Sequence, residues 1–488
     1  MLGLFIKKEL IDGLLNMRFM ALAVFSIVLM PLSAFINYEY FQERYGSFES
    51  QYNAYQQEEV RSWNMRAYRP PELLSAVARG TEAYMPLYFR LSDDQDPLKP
   101  GNIEAQDFST LSTFGTLDFL FLVQIVFSLL AVLLAFDMIA GEKERGTLKA
   151  VLANRVPRDS VLLGKLIGGF LMLWLVFLIG FLLMTLVLLV QDPRFGDGVY
   201  LNRLLLMFGL SSLFLASFYS VGLMVSAFCH STRTAIVALL VLWVVLQLVI
   251  PKTGEMLAAV AVSAPSQESV RIDKASVADD LDEELQTRAG DLFKRLTGWG
   301  EMRGPGGLTA FELLGSDAPE AVQFRDEYRA LKNDYQQQIR DQLREIDQTY
   351  ERAKARQQAV SQRIALLSPA AALTFLVTDL AGTGDETYRS YREAVSNHYE
   401  IIDRDLFSQQ RANRYQVRIG GGSFSSSFPS SDDDDDAPEA SDMPVFQSET
   451  PSIKAVLSVH AWAIGTLLVY LVVPFLVAYV AFLRYDVR

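Results

Sequence analysis

Few side chains in this sequence are spaced for chemistry, and none of the spacings completes a catalytic set. The histidines stand apart at His230, His398 and His460. The single cysteine, Cys229, adjoins His230, but two ligands do not complete a zinc site, and the pair reads as the solvated end of a helix. One cysteine also excludes an intramolecular disulfide. The run Asp432 to Asp436 lacks the spaced ligands and the turn glycine of a calcium loop, and reads as part of a solvated linker. A phosphate-binding loop needs Gly-x-x-x-x-Gly-Lys-Ser/Thr. The nearest approach, Gly141 to Thr147, puts Thr147 in the lysine position and sets Glu142 and Glu144 where they would repel phosphate. Neither a His-Glu-x-x-His pair nor a supported serine nucleophile is present. The sequence therefore predicts a non-catalytic chain that binds no metal or cofactor of its own.

The remaining candidates are polar residues inside apolar blocks. Gln124, Ser128, Ser217, Tyr219 and Gln247 lie within such blocks, with Asp118 and His460 near block ends. Polar groups in a membrane are costly and can mark a transport pathway. They also serve as hydrogen-bonding contacts between helices. Gln124, Ser128 and Gln247 are the candidate pathway residues.

The elements that must position these residues follow from composition. The chain has 488 residues, half of them apolar, and a net charge of −13. Phosphate binding needs a basic face, so a nucleic-acid partner is not expected. The apolar residues gather into six blocks, 19–36, 117–136, 166–190, 204–228, 234–250 and 456–482. About 20 helical residues cross the hydrocarbon core, and a helix satisfies its backbone within the segment. The first block is too long for the apolar core of a signal peptide and lacks a small-residue cleavage site, so it is expected to remain as a span. The sequence thus predicts a mainly α, polytopic protein with six transmembrane helices, surrounded by membrane lipid.

Positive charge sets the expected orientation. Lys143, Arg145, Lys149, Arg155, Arg158 and Lys165 crowd the connection 137–165. Lys7, Lys8, Arg18, Arg233, Arg484 and Arg488 fall on the same side of a six-span arrangement. That side is expected to be cytoplasmic, with both termini. Residues 1–18 suit a short interfacial helix, because Ile6, Leu10, Leu14 and Met17 recur at helical spacing; an extension of the first span is the alternative.

The segments 37–116 and 251–455 are then expected outside. In the second, apolar residues recur every three or four positions from Phe324 to Leu367, predicting a helix over 320–367. Leu281, Leu285 and Leu292 mark a partner helix for that stripe. Residues 420–452, rich in serine and aspartate, read as a disordered linker. The first segment is mixed and turns at Arg69-Pro70-Pro71.

The connection after the second block carries a further signal. Gly146 can end the preceding helix in a left-handed conformation, and Thr147 can cap the next. Leu148, Val151 and Leu152 give that short helix an apolar edge before Pro157. The run Phe136-Asp137-Met138-Ile139-Ala140-Gly141-Glu142-Lys143-Glu144-Arg145-Gly146-Thr147-Leu148, continued through Val156-Pro157-Arg158 to Leu163-Gly164-Lys165, resembles the hallmark of type-2 ABC-transporter permeases of the type V exporter fold. The chain departs from it at Arg155-Val156-Pro157, where the family often has Ser-Pro. Leu367-Ser368-Pro369-Ala370-Ala371-Ala372, Asp379-Leu380-Ala381-Gly382-Thr383-Gly384 and Arg69-Pro70-Pro71-Glu72-Leu73-Leu74 with Gly80 are similar to a branch with a large insert before the last span.

The resemblance implies an inner-membrane exporter permease whose short cytoplasmic helix docks on a separate ABC ATPase. ATP and magnesium would sit on that ATPase, and a second permease half, identical or related, would complete the assembly. Glu142, Glu144, Gly146, Thr147, Leu148, Val151, Leu152 and Pro157 would form the coupling segment. Two other readings are a relay of ATP-driven motion to an envelope partner and a membrane-anchored scaffold or receptor without an ATPase.

Overall fold

The computed structural model describes residues 17–58, 65–92, 98–101, 117–149, 157–298, 318–407, 414–419, 422–427 and 450–484, with a few isolated residues besides. Val151, Leu152, the aspartate run and most of 1–16 lie outside the described residues.

In chain order the helices and strands are α1 (Met17–Gln57), β1 (Arg66–Tyr68), β2 (Tyr88–Leu91) and β3 (Leu98–Pro100). Then come α2 (Phe119–Glu144), α3 (Arg158–Gln191), α4 (Gly198–Phe228) and α5 (Thr232–Ala261). The polar region holds α6 (Gln267–Thr297), α7 (Pro319–Ala365), α8 (Pro369–Ala381), α9 (Asp385–Ile402), β4 (Arg414–Ile419) and β5 (Gly422–Ser427). The last elements are α10 (Ile453–Val459) and α11 (Ala461–Leu483). Among the described residues, α1, α2, α3, α4, α5 and α11 are long and apolar enough to cross a membrane. Residues 422–427, expected inside a disordered linker, instead pair as β5 with β4. The last block, expected as one helix over 456–482, breaks at His460 between α10 and α11.

Helix α4 sits centrally, against α2, α8 and α11, while α1 packs along α3. Small residues allow the close approaches that membrane helices use. At Gly222 of α4 a methyl group would overlap Ala135 of α2. Phe119 and Phe127 of α2, Phe177 and Phe181 of α3 and Phe208 of α4 form a continuous ring cluster among three spans.

The helical ladder is interrupted inside two spans. Leu122–Phe127 of α2 and Val245–Val249 of α5 are π-helical. Such turns leave backbone carbonyls misaligned, and a partner must take them. Ser368 donates to the Leu246 carbonyl at 2.5 Å. The Trp243 indole donates to Ser128 at 2.8 Å, joining α5 to α2.

Beyond the spans, α6 and α7 pack against each other through Leu285, Ala289, Phe293, Phe324 and Tyr328, with Phe293 edge-on to Phe324 at 5.7 Å. The 47 residues of α7 make a rod of about 70 Å. Near its other end, α7 receives α5, where Gly254 lies against the Ser361 carbonyl and Ala365. Strands β1, β2 and β3 form a small antiparallel sheet in that order, and Phe89 packs with Tyr391 of α9.

Helix α8 is a plug. Eleven of its thirteen residues are buried, as expected of a helix apolar on every side. Ser368 caps its start, accepting from the Ala370 amide at 3.0 Å. At its end Arg203 of α4 donates to the Leu380 carbonyl at 3.0 Å, Arg69 to the Gly382 carbonyl at 2.9 Å, and the Thr81 amide to the Thr383 carbonyl at 2.8 Å. The segments around Arg69 and Gly382, some three hundred residues apart in sequence, thus meet in one joint. Gly382 takes φ +73°, and a methyl group there would press on Glu72.

Burial pushes the Glu72 carboxyl up to about 7, against the opposing pull of Arg69. In the unfolded chain it ionises near 4.5. The cost of the buried charge is therefore fully present above pH 7 and is lifted as pH falls toward 4.5. Glu72→Gln is expected to raise the Tm of the detergent-solubilised protein at pH 8 and to leave it unchanged at pH 5. An equal shift at both pH values would refute this assignment.

Candidate functional site: the charged elbow

The connection expected over 137–165 begins as a direct continuation of α2. The ladder breaks at Phe136, and a residue of α4 repairs it. The Ser226 hydroxyl donates to the Phe136 carbonyl at 2.8 Å and accepts from the amides of Ile139 and Ala140 at 3.1 and 3.0 Å. One side chain thus holds the bend against α4.

The helix then presents three charged residues in a row, and each reaches a different span. Glu142 pairs with Lys165 of α3 at 2.8 Å; both side chains are largely buried. Lys143 donates to the carbonyls of Ala227 and Cys229 at the end of α4, the latter at 3.3 Å. These are carbonyls that the helix end leaves without an intrahelical donor. Glu144 accepts from the amide and hydroxyl of Thr232 at 2.8 and 2.6 Å, at the start of α5. A carboxylate there complements the positive end of the helix dipole. A fourth contact joins the last span, since Arg158 at the start of α3 donates to the Leu483 carbonyl of α11 at 2.6 Å.

Arg145 and Gly146 close the helix. Gly146 takes φ +73°, a left-handed conformation that glycine reaches without steric cost. Thr147 is exposed, and its hydroxyl donates to the Glu142 carbonyl at 3.4 Å. Leu148 turns inward instead. It is completely buried in a cluster with Ile139, Val161, Leu162, Leu223 and Phe482, which come from α2, α3, α4 and α11. Pro157 precedes the first turn of α3, where an amide would have no helical partner. The face left to solvent is therefore Glu144 to Thr147 with Lys149.

The three candidate pathway residues lie away from the elbow, two of them in the π-helical turns. Gln124 donates to the Ala370 carbonyl at 2.9 Å and to Thr374 at 2.7 Å, tying α2 to α8. Ser128 bonds Trp243, and Gln247 is buried in α5. Ser217 and Tyr219 likewise bond backbone carbonyls of Leu467 and Lys165 on neighbouring spans. In the structure Gln124 and Ser128 act as interhelical bonds. Sequence reading missed Ser226, Thr232 and Arg203 as structural partners. Serine and threonine are ordinary in spans, and no spacing distinguishes these.

Six apolar helices of membrane-crossing length, joined at a charged elbow, describe a multi-pass membrane protein. The family model described as "ABC-2 family transporter protein" matches residues 5–487, and the chain belongs to that family. It is similar to the probable multidrug ABC transporter permease YbhS of Escherichia coli K12, 34% identical over 113 residues, or 23% of this chain and 28% of that protein. It is also similar to the probable ABC transporter permease protein NosY of Stutzerimonas stutzeri, 44% identical over 70 residues, or 14% of this chain and 25% of that one. NosY of Pseudomonas aeruginosa is 42% identical over 74 residues, or 15% and 27%. The chain thus spans about a quarter of the length of the curated relatives it matches.

Removing one partner of a buried ion pair strands the other charge. Glu142→Ala is expected to destabilise the solubilised protein by about 3–5 kcal/mol. The double change Glu142→Leu with Lys165→Met should recover most of that loss. Thermal unfolding of the single and double variants checks it; equal losses in both would refute the pairing.

Proposed function

We propose that the chain is the permease subunit of an ABC exporter in the inner membrane, with both termini and the elbow cytoplasmic. It hydrolyses nothing itself; ATP and magnesium belong to a separate ATPase, and a second permease half, identical or related, completes the assembly. The observation that carries this reading is the sequence of contacts from Glu142, Lys143 and Glu144 to α3, α4 and α5. A push on the exposed face at Glu144 to Thr147 reaches three spans within one helical turn. Leu148 adds the apolar anchor that keeps the elbow from sliding over the bundle. The coupling segment comprises Glu142, Glu144, Gly146, Thr147, Leu148, Val151, Leu152 and Pro157.

The test uses the full chain reconstituted with its ATPase. Thr147→Trp adds bulk on the exposed face without touching the core. It is expected to lower permease-stimulated ATP hydrolysis at least fivefold while insertion and Tm stay unchanged. Stimulation at the wild-type level, or labelling of Lys149→Cys only from outside the cell, would overturn the proposal.

A second reading has its own observation. Helix α5 runs from Thr232, held by the elbow, to Ala261, and packs on α7. Motion at the elbow would then reach the far hairpin of α6 and α7 and act on an envelope partner. Gly254→Trp would force α5 from α7 at the Ser361 carbonyl. Export retained with partner activation lost supports the relay, and both retained excludes it.

A further inference from the structure

The elbow end of the bundle runs against the charge of the rest of the chain. Among the described residues of 137–149, 157–165, 229–233 and 484, lysines and arginines outnumber aspartates and glutamates seven to four, although the whole chain carries −13. The two signs are placed differently. Glu142 is largely buried against Lys165, and Glu144 is committed to the amide and hydroxyl of Thr232. Arg145, Lys149, Arg233 and Arg484 are all exposed, against Glu144 and Asp159 on the acidic side. The surplus that reaches solvent is positive.

Two of these arginines come together. Arg145 ends the helix that carries Glu144, and Arg233 stands in the first turn of α5, one residue after Thr232. The bond from Thr232 to Glu144 brings those two helix ends side by side, and both guanidinium charges act on the Glu144 carboxylate. Its hydrogen bonds nevertheless go to Thr232 rather than to either guanidinium. The Arg145 side chain stays 64% exposed, with Nε on the Gly141 carbonyl at 3.1 Å and Asp137 at 3.9 Å. The space beside it is open, since a methyl group on Gly146 would touch nothing.

A cation in the first turn of a helix opposes the helix dipole, so Arg233 stands where α5 by itself disfavours it. The preference for positive charge on the inner side accounts for a cation at this level. It does not account for two exposed guanidinium groups gathered around one carboxylate. Guanidinium pairs with carboxylate through two parallel hydrogen bonds, a geometry that lysine does not reproduce. Charged contacts at the rim of an interface act chiefly on the rate and register of association.

We propose that Arg145 and Arg233 receive an acidic rim on the ATPase subunit, with carboxylates at the edge of the surface that meets the elbow. This rests on the permease reading and adds to it the sign of the partner's surface. Opposite charge steers the two proteins together over a range that salt shortens.

Association kinetics of the full chain in phosphatidylcholine nanodiscs with its ATPase test this. The association rate is expected to fall about tenfold between about 50 mM and about 500 mM salt, with dissociation changing less than about threefold. Arg145→Gln with Arg233→Gln should slow association about tenfold at low salt and remove most of the salt dependence. Arg484→Gln, which removes one exposed charge elsewhere on the same end, should change the rate less than about twofold. Equal effects of Arg484→Gln and the Arg145/Arg233 pair would mean a diffuse positive face and overturn the proposal. Salt-independent association, unchanged in the double variant, would overturn it and leave the permease reading standing. No association at any salt concentration would overturn both. A double variant that associates normally but loses wild-type retention of phosphatidylglycerol over phosphatidylcholine would assign the arginines to an anionic membrane surface, and the proposal fails. The salt dependence of the wild-type chain decides the matter even if the double variant fails to fold.

Discussion

A backbone polar group inside hydrocarbon has no water to turn to, so every departure from a regular helix must be repaired by protein. The bundle is organised around such repairs. Ser226 fills the break at Phe136, Ser368 takes the carbonyl of Leu246 in a π-helical turn, and Arg203 takes the Leu380 carbonyl at the end of the plug. In each case the repairing side chain belongs to a different helix from the break. The places where the helices bend are therefore the places where they are tied together. The irregular turns are therefore also contacts between helices.

The two ends of the bundle solve this constraint differently. At the elbow the ties are charged and short, with helix ends receiving Lys143 and Glu144 according to their dipoles. At the opposite end the tie is a buried helix, α8, wedged against α2, α4 and α11. Its close packing and its joint with Arg69 and Thr81 make the polar segments extensions of the bundle rather than tethered attachments.

Much of the span architecture was legible because apolar blocks and helix length obey a simple rule, and the fold class followed from it. Gly146 was legible as well, since a left-handed residue after a polar helix end favours glycine. The plug was not. Residues 369–381 are apolar but too short to cross a membrane, and the sequence suggested only a helix terminus at Ser368-Pro369. Its burial depends on neighbours contributed from far along the chain, which periodicity does not reveal. The same holds for the break at His460. An apolar run continues across it, and only the contact with Asp379 shows why the helix turns there. Leu148 presents the converse case: its apolar character was plain, but its direction was not, since a helix edge can face either a partner or its own bundle.

That direction has a consequence for how the elbow works. With Leu148 fully buried among α2, α3, α4 and α11, the apolar part of the elbow is already spent on holding the bundle together. What Glu144 to Thr147 and Lys149 offer outward is polar and exposed. A partner on this face meets charge and hydroxyl rather than a greasy ridge, so contact there contributes more to orientation than to affinity.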